Sequence, residues 1–114
     1  MEMTGAVTTL AAVAHEGRLT IFRELVKAGP EGVAAGEIGR RVGVLPSTLS
    51  ASLTVLTNAG LVTSRRDGRS IIYAAAYDQM GDLLSFLMED CCGGRPEICA
   101  PLAETARACC ATTP

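Results

Sequence analysis

Five cysteines stand in this 114-residue chain, and all of them fall in its last quarter: Cys91, Cys92, Cys99, Cys109 and Cys110. Clustered thiols in a reducing compartment point to soft-ion ligation or redox chemistry before structural disulfides, and an odd number does not make a simple disulfide framework. A second group of side chains suits phosphate. Arg40 and Arg41 are adjacent, and Arg65, Arg66 and Arg69 flank the dipeptide Asp67-Gly68; guanidinium forks match phosphate oxygens. A third stretch, from Pro46 to Asn58, is rich in small hydrogen-bonding residues: Ser47, Thr48, Ser50, Ala51, Ser52, Thr54 and Thr57. Enzyme chemistry is poorly served. His15 is the single histidine and reads as a helix-start or core-edge residue. There is no Cys-x5-Arg phosphate loop, no Gly-rich nucleotide loop and no Ser/His/Asp set. Neither a catalytic residue nor a cofactor is expected.

The bulk properties set the frame for these groups. Hydrophobic residues make up 48% and aromatics 4% of the chain, so an aliphatic core that leans helical is expected in one domain. The N-terminal stretch lacks a basic region, and no apolar run reaches the ~18 residues of a membrane span; a cytoplasmic protein without membrane association is expected. The net charge of −2 is unevenly spread. Residues 1–77 carry eight basic and six acidic side chains, and residues 78–114 two basic and six acidic. The N-terminal part is therefore locally basic, which is what phosphate contact requires.

Periodicity supplies the elements that must position these groups. Residues 6–14 read as a short apolar helix that would have to be buried. From Glu16 to Ala28, Leu19, Phe22, Leu25 and Val26 fall on one helical face, closed by Gly29-Pro30. A short helix from Val33 to Gly43 turns Ile38 and Val42 inward and Arg40 and Arg41 outward. Pro46 opens the next helix and Gly60 ends it, with Leu49, Leu53 and Leu56 as its buried stripe. The period then changes: LVTSRR, Asp67-Gly68 and RSIIYAA read as a β-hairpin on a type I′ turn. A last long helix begins at Tyr77 or Asp78, carries Met80, Leu83, Leu84, Leu87 and Met88 on one stripe, and runs into Cys91-Cys92-Gly93-Gly94.

The order α-α-α-α-β-β-α, with a tight turn between the third and fourth helices and a basic hairpin after them, is that of a winged helix-turn-helix in a mainly α (α+β) fold. A helix entering the major groove needs an outer face of small polar side chains, since bulk holds it off the base edges. Arginines at a wing tip grip phosphate or the minor groove. Arg40, Arg41, Ser47, Thr48, Ser50, Ala51, Ser52, Thr54, Arg65, Arg66 and Arg69 are the candidate DNA-contacting residues.

The segment VGVLPSTLSASLTVLTNAGLVTSRRDGRSIIYAA resembles the helix-turn-helix and wing of the ArsR/SmtB family of metal-responsive repressors. The upstream LAAVAHEGRLTIFRELVKAG is similar to that family's opening helices. The resemblance covers roughly residues 7–92. It implies a homodimer joined through the first and last helices, with recognition helices presented to successive major grooves of operator DNA. Two positions depart from the family pattern. Ser52 stands where the recognition helix commonly carries a His, which replaces a reaching donor by a short hydroxyl and leaves base preference there undetermined. Leu45 stands where a capping Ser is common, so that Ser47 is the expected cap if the helix starts slightly later.

The family's sensing sites differ between members. Its Cys-x-Cys site on the helix before the recognition helix is absent, because residues 34–38 contain no cysteine. Its zinc site on the last helix lacks imidazoles here, with Asp78 and Asp82 alone. What remains, Cys91-Cys92-x6-Cys99, resembles the C-terminal site of arsenic-responsive members. Trivalent arsenic is soft and takes three thiolates in a trigonal pyramid, and Gly93-Gly94 and Pro96 would let the chain loop back to deliver Cys99. Arg95 would help lower thiol pKa. The chain then divides into residues 1–92, for DNA binding and dimerisation, and a cysteine-rich tail, 93–114, that completes the metalloid site. The resulting expectation is a repressor released from its operator by trivalent arsenic at Cys91, Cys92 and Cys99, derepressing arsenic-resistance genes. Cys109 and Cys110 are possible additional thiols. Thiol redox or persulfide sensing, or sensing of cadmium or lead by the same fold, is the alternative. Arsenite, antimonite and methylated arsenicals are not distinguished by these residues.

Overall fold

A computed structural model of the chain describes residues 1–89, 93 and 95–110, without the side chains of Cys109 and Cys110. The elements run α1 (Met3–Val13), α2 (Glu16–Ala28), β1 (Val33–Ala34), α3 (Ala35–Val42), α4 (Pro46–Asn58), β2 (Val62–Asp67), β3 (Ser70–Ala75), α5 (Tyr77–Leu87) and α6 (Pro96–Cys110). The strands form one antiparallel sheet in the order β1-β3-β2. Among the described residues, no helix is long and apolar enough to cross a membrane.

The core is mainly aliphatic, with Phe22 of α2 among its buried members. Ile21 and Leu25 from α2, Ile38 from α3, Leu49, Leu53 and Leu56 from α4, and Leu61 and Val62 at the start of the hairpin pack into one cluster. The Leu49/Leu53/Leu56 stripe is buried to within a few per cent, so the i, i+4, i+7 spacing seats α4 with its other faces outward. Two polar stitches hold the outer helices to this core. Arg18 donates from Nε to the carbonyl of Ala12 at 2.6 Å and from Nη2 to that of Ala11 at 3.2 Å, closing the C-terminal end of α1. Tyr77 Oη donates to the Val26 carbonyl at 2.9 Å, tying the start of α5 to α2.

Several expectations are revised. Val33 and Ala34 form a strand paired with Tyr73 and Ile72 and not the first turn of a helix. Gly32 permits this approach: its φ is +79°, and a Cβ there would lie 2.6 Å from the Tyr73 carbonyl oxygen. The wing turn is shifted by one residue. Asp67 pairs with Ser70 inside the ladder, which leaves Gly68-Arg69 as the two-residue loop, with Gly68 at φ +64° in the first loop position. That is where II′ and I′ turns require left-handed backbone. α4 begins at Pro46 with Leu45 as an N-cap that makes no side-chain bond, so Ser47 does not cap it. α1 buries one face only, through Ala6, Thr9 and Ala12, while Met3, Val7 and Leu10 are exposed. The stretch expected to be an irregular tail contains a helix, α6, of 15 residues with Pro101 inside it.

Candidate nucleic-acid interface

α4 presents Ser47, Thr48, Ser50, Ala51, Thr54 and Thr57 to solvent. The Thr54 hydroxyl donates to the Ser50 carbonyl at 2.9 Å, leaving its oxygen to accept from a base-edge donor. Ser52 is the exception to the expected row. It is 9% exposed and turned from the outer surface, because it stands three residues after Leu49 and four before Leu56 and so falls at the edge of the buried stripe. Ser52 therefore stands apart from the outward row and instead lines a groove beside the start of α2.

The wing projects beyond the core: along β2 only Val62 is buried, and residues 63–67 are exposed. Strand alternation sorts its arginines. Ser64 faces α4, lining a small groove with Thr54, Thr57 and Asn58. Arg66 shares the face of Ser64, on the recognition-helix side. Arg65 points the other way and donates from Nη2 to the Glu31 carbonyl at 2.7 Å, bracing the hairpin against the α2–β1 loop. Arg69 sits in the turn itself. Among the described residues, neither Arg66 nor Arg69 has a hydrogen bond or ion pair, so both guanidinium groups are unengaged at the wing tip.

Arg40 and Arg41 are exposed on α3 but engaged with carboxylates. Arg41 pairs through Nε with Glu37 at 2.9 Å and through Nη1 with Glu24 at 3.6 Å, and Arg40 pairs with Glu37. Exposed ion pairs are worth about 0–1 kcal/mol, so a phosphate competes for these arginines at little cost. A cleft of about 400 Å³ runs between α3 and α4, with Arg40, Ser50 and Tyr73 among its lining residues. The helix-turn-helix thus offers hydroxyls in the middle and cations on both flanks.

Sequence reasoning missed the placement of His15. It is the N-cap of α2, its Nδ1 accepting from the backbone N–H of Gly17 at 3.1 Å and of Arg18 at 3.4 Å. The expected helix-start role was legible; its position beside Ser47, Thr48 and Ala51 of α4 was not, since that contact joins two segments about thirty residues apart.

The thiols are only partly placed. Cys99 lies in the first turn of α6 and is half-buried. Cys91 and Cys92 lie outside the described residues, and Cys109 and Cys110 close α6. Among the described residues no three His, Cys, Asp or Glu side chains come together as a metal site.

Known proteins share this arrangement. Residues 13–65 match a helix-turn-helix domain family model. The HTH-type transcriptional regulator YgaV of Escherichia coli is 31% identical over 87 residues, covering 76% of this chain and 86% of that protein. The crystal structure of NolR from Sinorhizobium fredii superposes with a TM-score of 0.61 at 36% identity, over 75% of this chain and 83% of that one. The chain belongs to the ArsR/SmtB family of winged-helix transcriptional regulators. Its members named here are DNA-binding regulators and not enzymes. The nodulation protein NolR of Rhizobium meliloti is 36% identical over 80 residues, 70% of this chain, and the chain spans 63% of that relative. A putative arsenical resistance operon repressor of Halobacterium salinarum is 44% identical over 63 residues, which is 55% of this chain and 48% of that protein. A winged helix-turn-helix DNA-binding domain from Mycobacterium bovis, described as homodimeric and as a possible ArsR-family regulator, superposes with a TM-score of 0.62 at 27% identity, over 77% of this chain and 82% of that one. The ArsR/SmtB assignment accounts for α4 as recognition helix and for the β2–β3 hairpin as wing.

Proposed function

We propose that this chain is a homodimeric repressor that binds operator DNA through α4 and the wing and is released when trivalent arsenic binds the thiolates of Cys91, Cys92 and Cys99. The observation that carries the reading is the order of parts along the chain. α5 ends in an exposed apolar face of Leu84, Leu87 and Met88, and the three thiols follow within twelve residues of its end. The likeness to the Halobacterium arsenical resistance repressor supports the choice of inducer.

Three thiolates suit a soft trivalent centre far better than hard oxygen-seeking ions. The coupling follows from placement. The apolar outer faces of α1 and α5 are where a second copy would pack, and ordering the chain just beyond α5 around arsenic changes how two subunits sit. A changed separation of the two α4 helices no longer fits successive major grooves. Couplings of ~1–3 kcal/mol weaken DNA binding by roughly 5–150-fold.

The test is fluorescence anisotropy with a labelled duplex covering the DNA upstream of the protein's own gene, in a reducing buffer at fixed salt. Arsenite is expected to release the wild type and to leave Cys91→Ser and Cys99→Ser bound. Release of those variants at the wild-type arsenite concentration would sink the assignment of the ligands. Release of the wild type by an oxidant or by cadmium, but not by arsenite, would replace the inducer and keep the repressor.

A further inference from the structure

The groove between the N-terminus of α2 and the first turns of α4 does not involve the thiols, and it joins part of the outer row of α4 to the N-cap of α2. It measures about 410 Å³ and is lined by the N-cap His15 and Arg18 at the start of α2 and by Ser47, Thr48, Ala51, Ser52 and Val55 from α4. From this groove we infer a phosphate-binding subsite for the DNA backbone, in which His15 and Ser52 position the duplex against the recognition helix. This rests on the DNA-binding reading above.

Three observations carry it. First, the His15 ring has a fixed tautomer. Nδ1 accepts from two backbone N–H groups, of Gly17 and Arg18, so in the neutral ring the proton sits on Nε2. His15 is exposed, and its Nε2–H is a directed donor at the rim. Second, Ser52 is 9% exposed, yet among the described residues its hydroxyl has no hydrogen-bond partner. A buried hydroxyl normally finds one. No fully enclosed side-chain polar atom is left unpaired among the described residues, so the Ser52 oxygen keeps access to solvent, and the groove is the one that Ser52 lines. Third, a helix N-terminus and a guanidinium border the groove, against one carboxylate, Glu16, in the first turn of α2. The groove lies at the N-terminus of the 13-residue α2, where the helix dipole is positive. The Arg18 guanidinium lies beside it, held in place by its bonds to the α1 carbonyls.

The donors available are the Nε2–H of His15 and the hydroxyls of Ser47, Thr48 and Ser52, a set that fits the tetrahedral oxygens of a phosphodiester. Because this groove adjoins the N-terminal half of α4, a phosphate seated in it fixes how deeply that helix enters the major groove. A phosphate contact carries no base information, so the subsite contributes affinity for any sequence.

Two variants separate this role from a structural one. His15→Asn keeps a side-chain acceptor for the α2 N-terminus and removes the Nε2–H; Ser52→Ala removes the hydroxyl with little change in volume. Each is measured by anisotropy against the upstream duplex and an unrelated duplex, and by thermal melting. The expected result for each is a loss of affinity of about three- to ten-fold, equal for both duplexes, with Tm near that of the wild type. Unchanged affinity would overturn the subsite, and so would a loss confined to the upstream duplex, which is the mark of a base contact. If the wild type binds neither duplex, the DNA-binding reading fails before the subsite is tested.

Discussion

At the scale of single residues, the wing shows how backbone geometry divides labour among like side chains. Arg65 and Arg66 are neighbours in sequence but face opposite sides of β2. Arg65 is committed to the Glu31 carbonyl, whereas Arg66 lies on the side of α4 and is unengaged among the described residues. Arg66→Ala is expected to weaken binding to operator and unrelated duplex alike and to reduce the salt dependence of log K by ~1. Arg65→Ala should change the salt slope less and the melting temperature more. A salt series by anisotropy on both variants checks this; equal slopes for the two would show that the strand alternation does not govern which arginine meets phosphate. The types and spacing of these arginines were plain from the sequence. Their separate duties were not, because Glu31 is brought to Arg65 only by the pairing of β1 with β3. Ser52 makes the same point from the other direction: it belongs to a polar run by composition and to the helix's inner edge by angle.

At the scale of elements, glycines in nearly adjacent positions carry opposite requirements. Gly32 has φ +79°, and a side chain there would meet the Tyr73 carbonyl at 2.6 Å. Gly36 lies in the first turn of α3, and a Cβ added there would meet nothing within 4 Å. Gly32→Ala is expected to cost about 1–3 kcal/mol, while Gly36→Ala should be neutral or stabilise by about 0.5–1 kcal/mol. Urea titration of both variants reads the difference, and similar midpoints would contradict the close approach of the α2–β1 loop to β3. Helices α2 to α4 and the β2–β3 hairpin were legible from periodicity and stop signals, whereas α1 was read from apolar composition and begins three residues earlier than expected, and α5 ends at Leu87, short of the cysteines into which it was expected to run. β1 was not, since two residues carry no period, and its identity comes wholly from its partner β3. α6 was hidden by Gly and Pro at its start, although Pro96 occupies the first helical position, where proline is well tolerated.

At the scale of the whole molecule, the exposed apolar side chains are concentrated on the outer helices. Val7 and Leu10 on α1 are 57% and 40% exposed, and Leu84 and Leu87 on α5 are 51% and 55% exposed. Such faces on a chain this small are suited to burial against a second copy. The double substitution Leu84→Glu/Leu87→Glu is expected to give a monomer by light scattering, with the circular dichroism of the helices retained and DNA affinity lowered by at least tenfold, about 1.4 kcal/mol. A variant that stays dimeric would move the interface away from α5. One that becomes monomeric yet binds the duplex as tightly as the wild type would break the link between dimerisation and operator binding.

Residue order alone was enough to establish the helix-turn-helix, the basic hairpin, the likeness to the family and the grouping of thiols in the last quarter of the chain. Those features are local: hydrophobic period, turn chemistry and residue type act within a few residues of one another. Three others emerged only on folding: which hydroxyl of α4 turns inward, which arginine of the wing is left to meet phosphate, and that the α2 N-cap stands beside the recognition helix. Each of these depends on contacts between segments far apart in the chain, whose geometry is set by how the shared aliphatic core packs and not by any pattern within one segment.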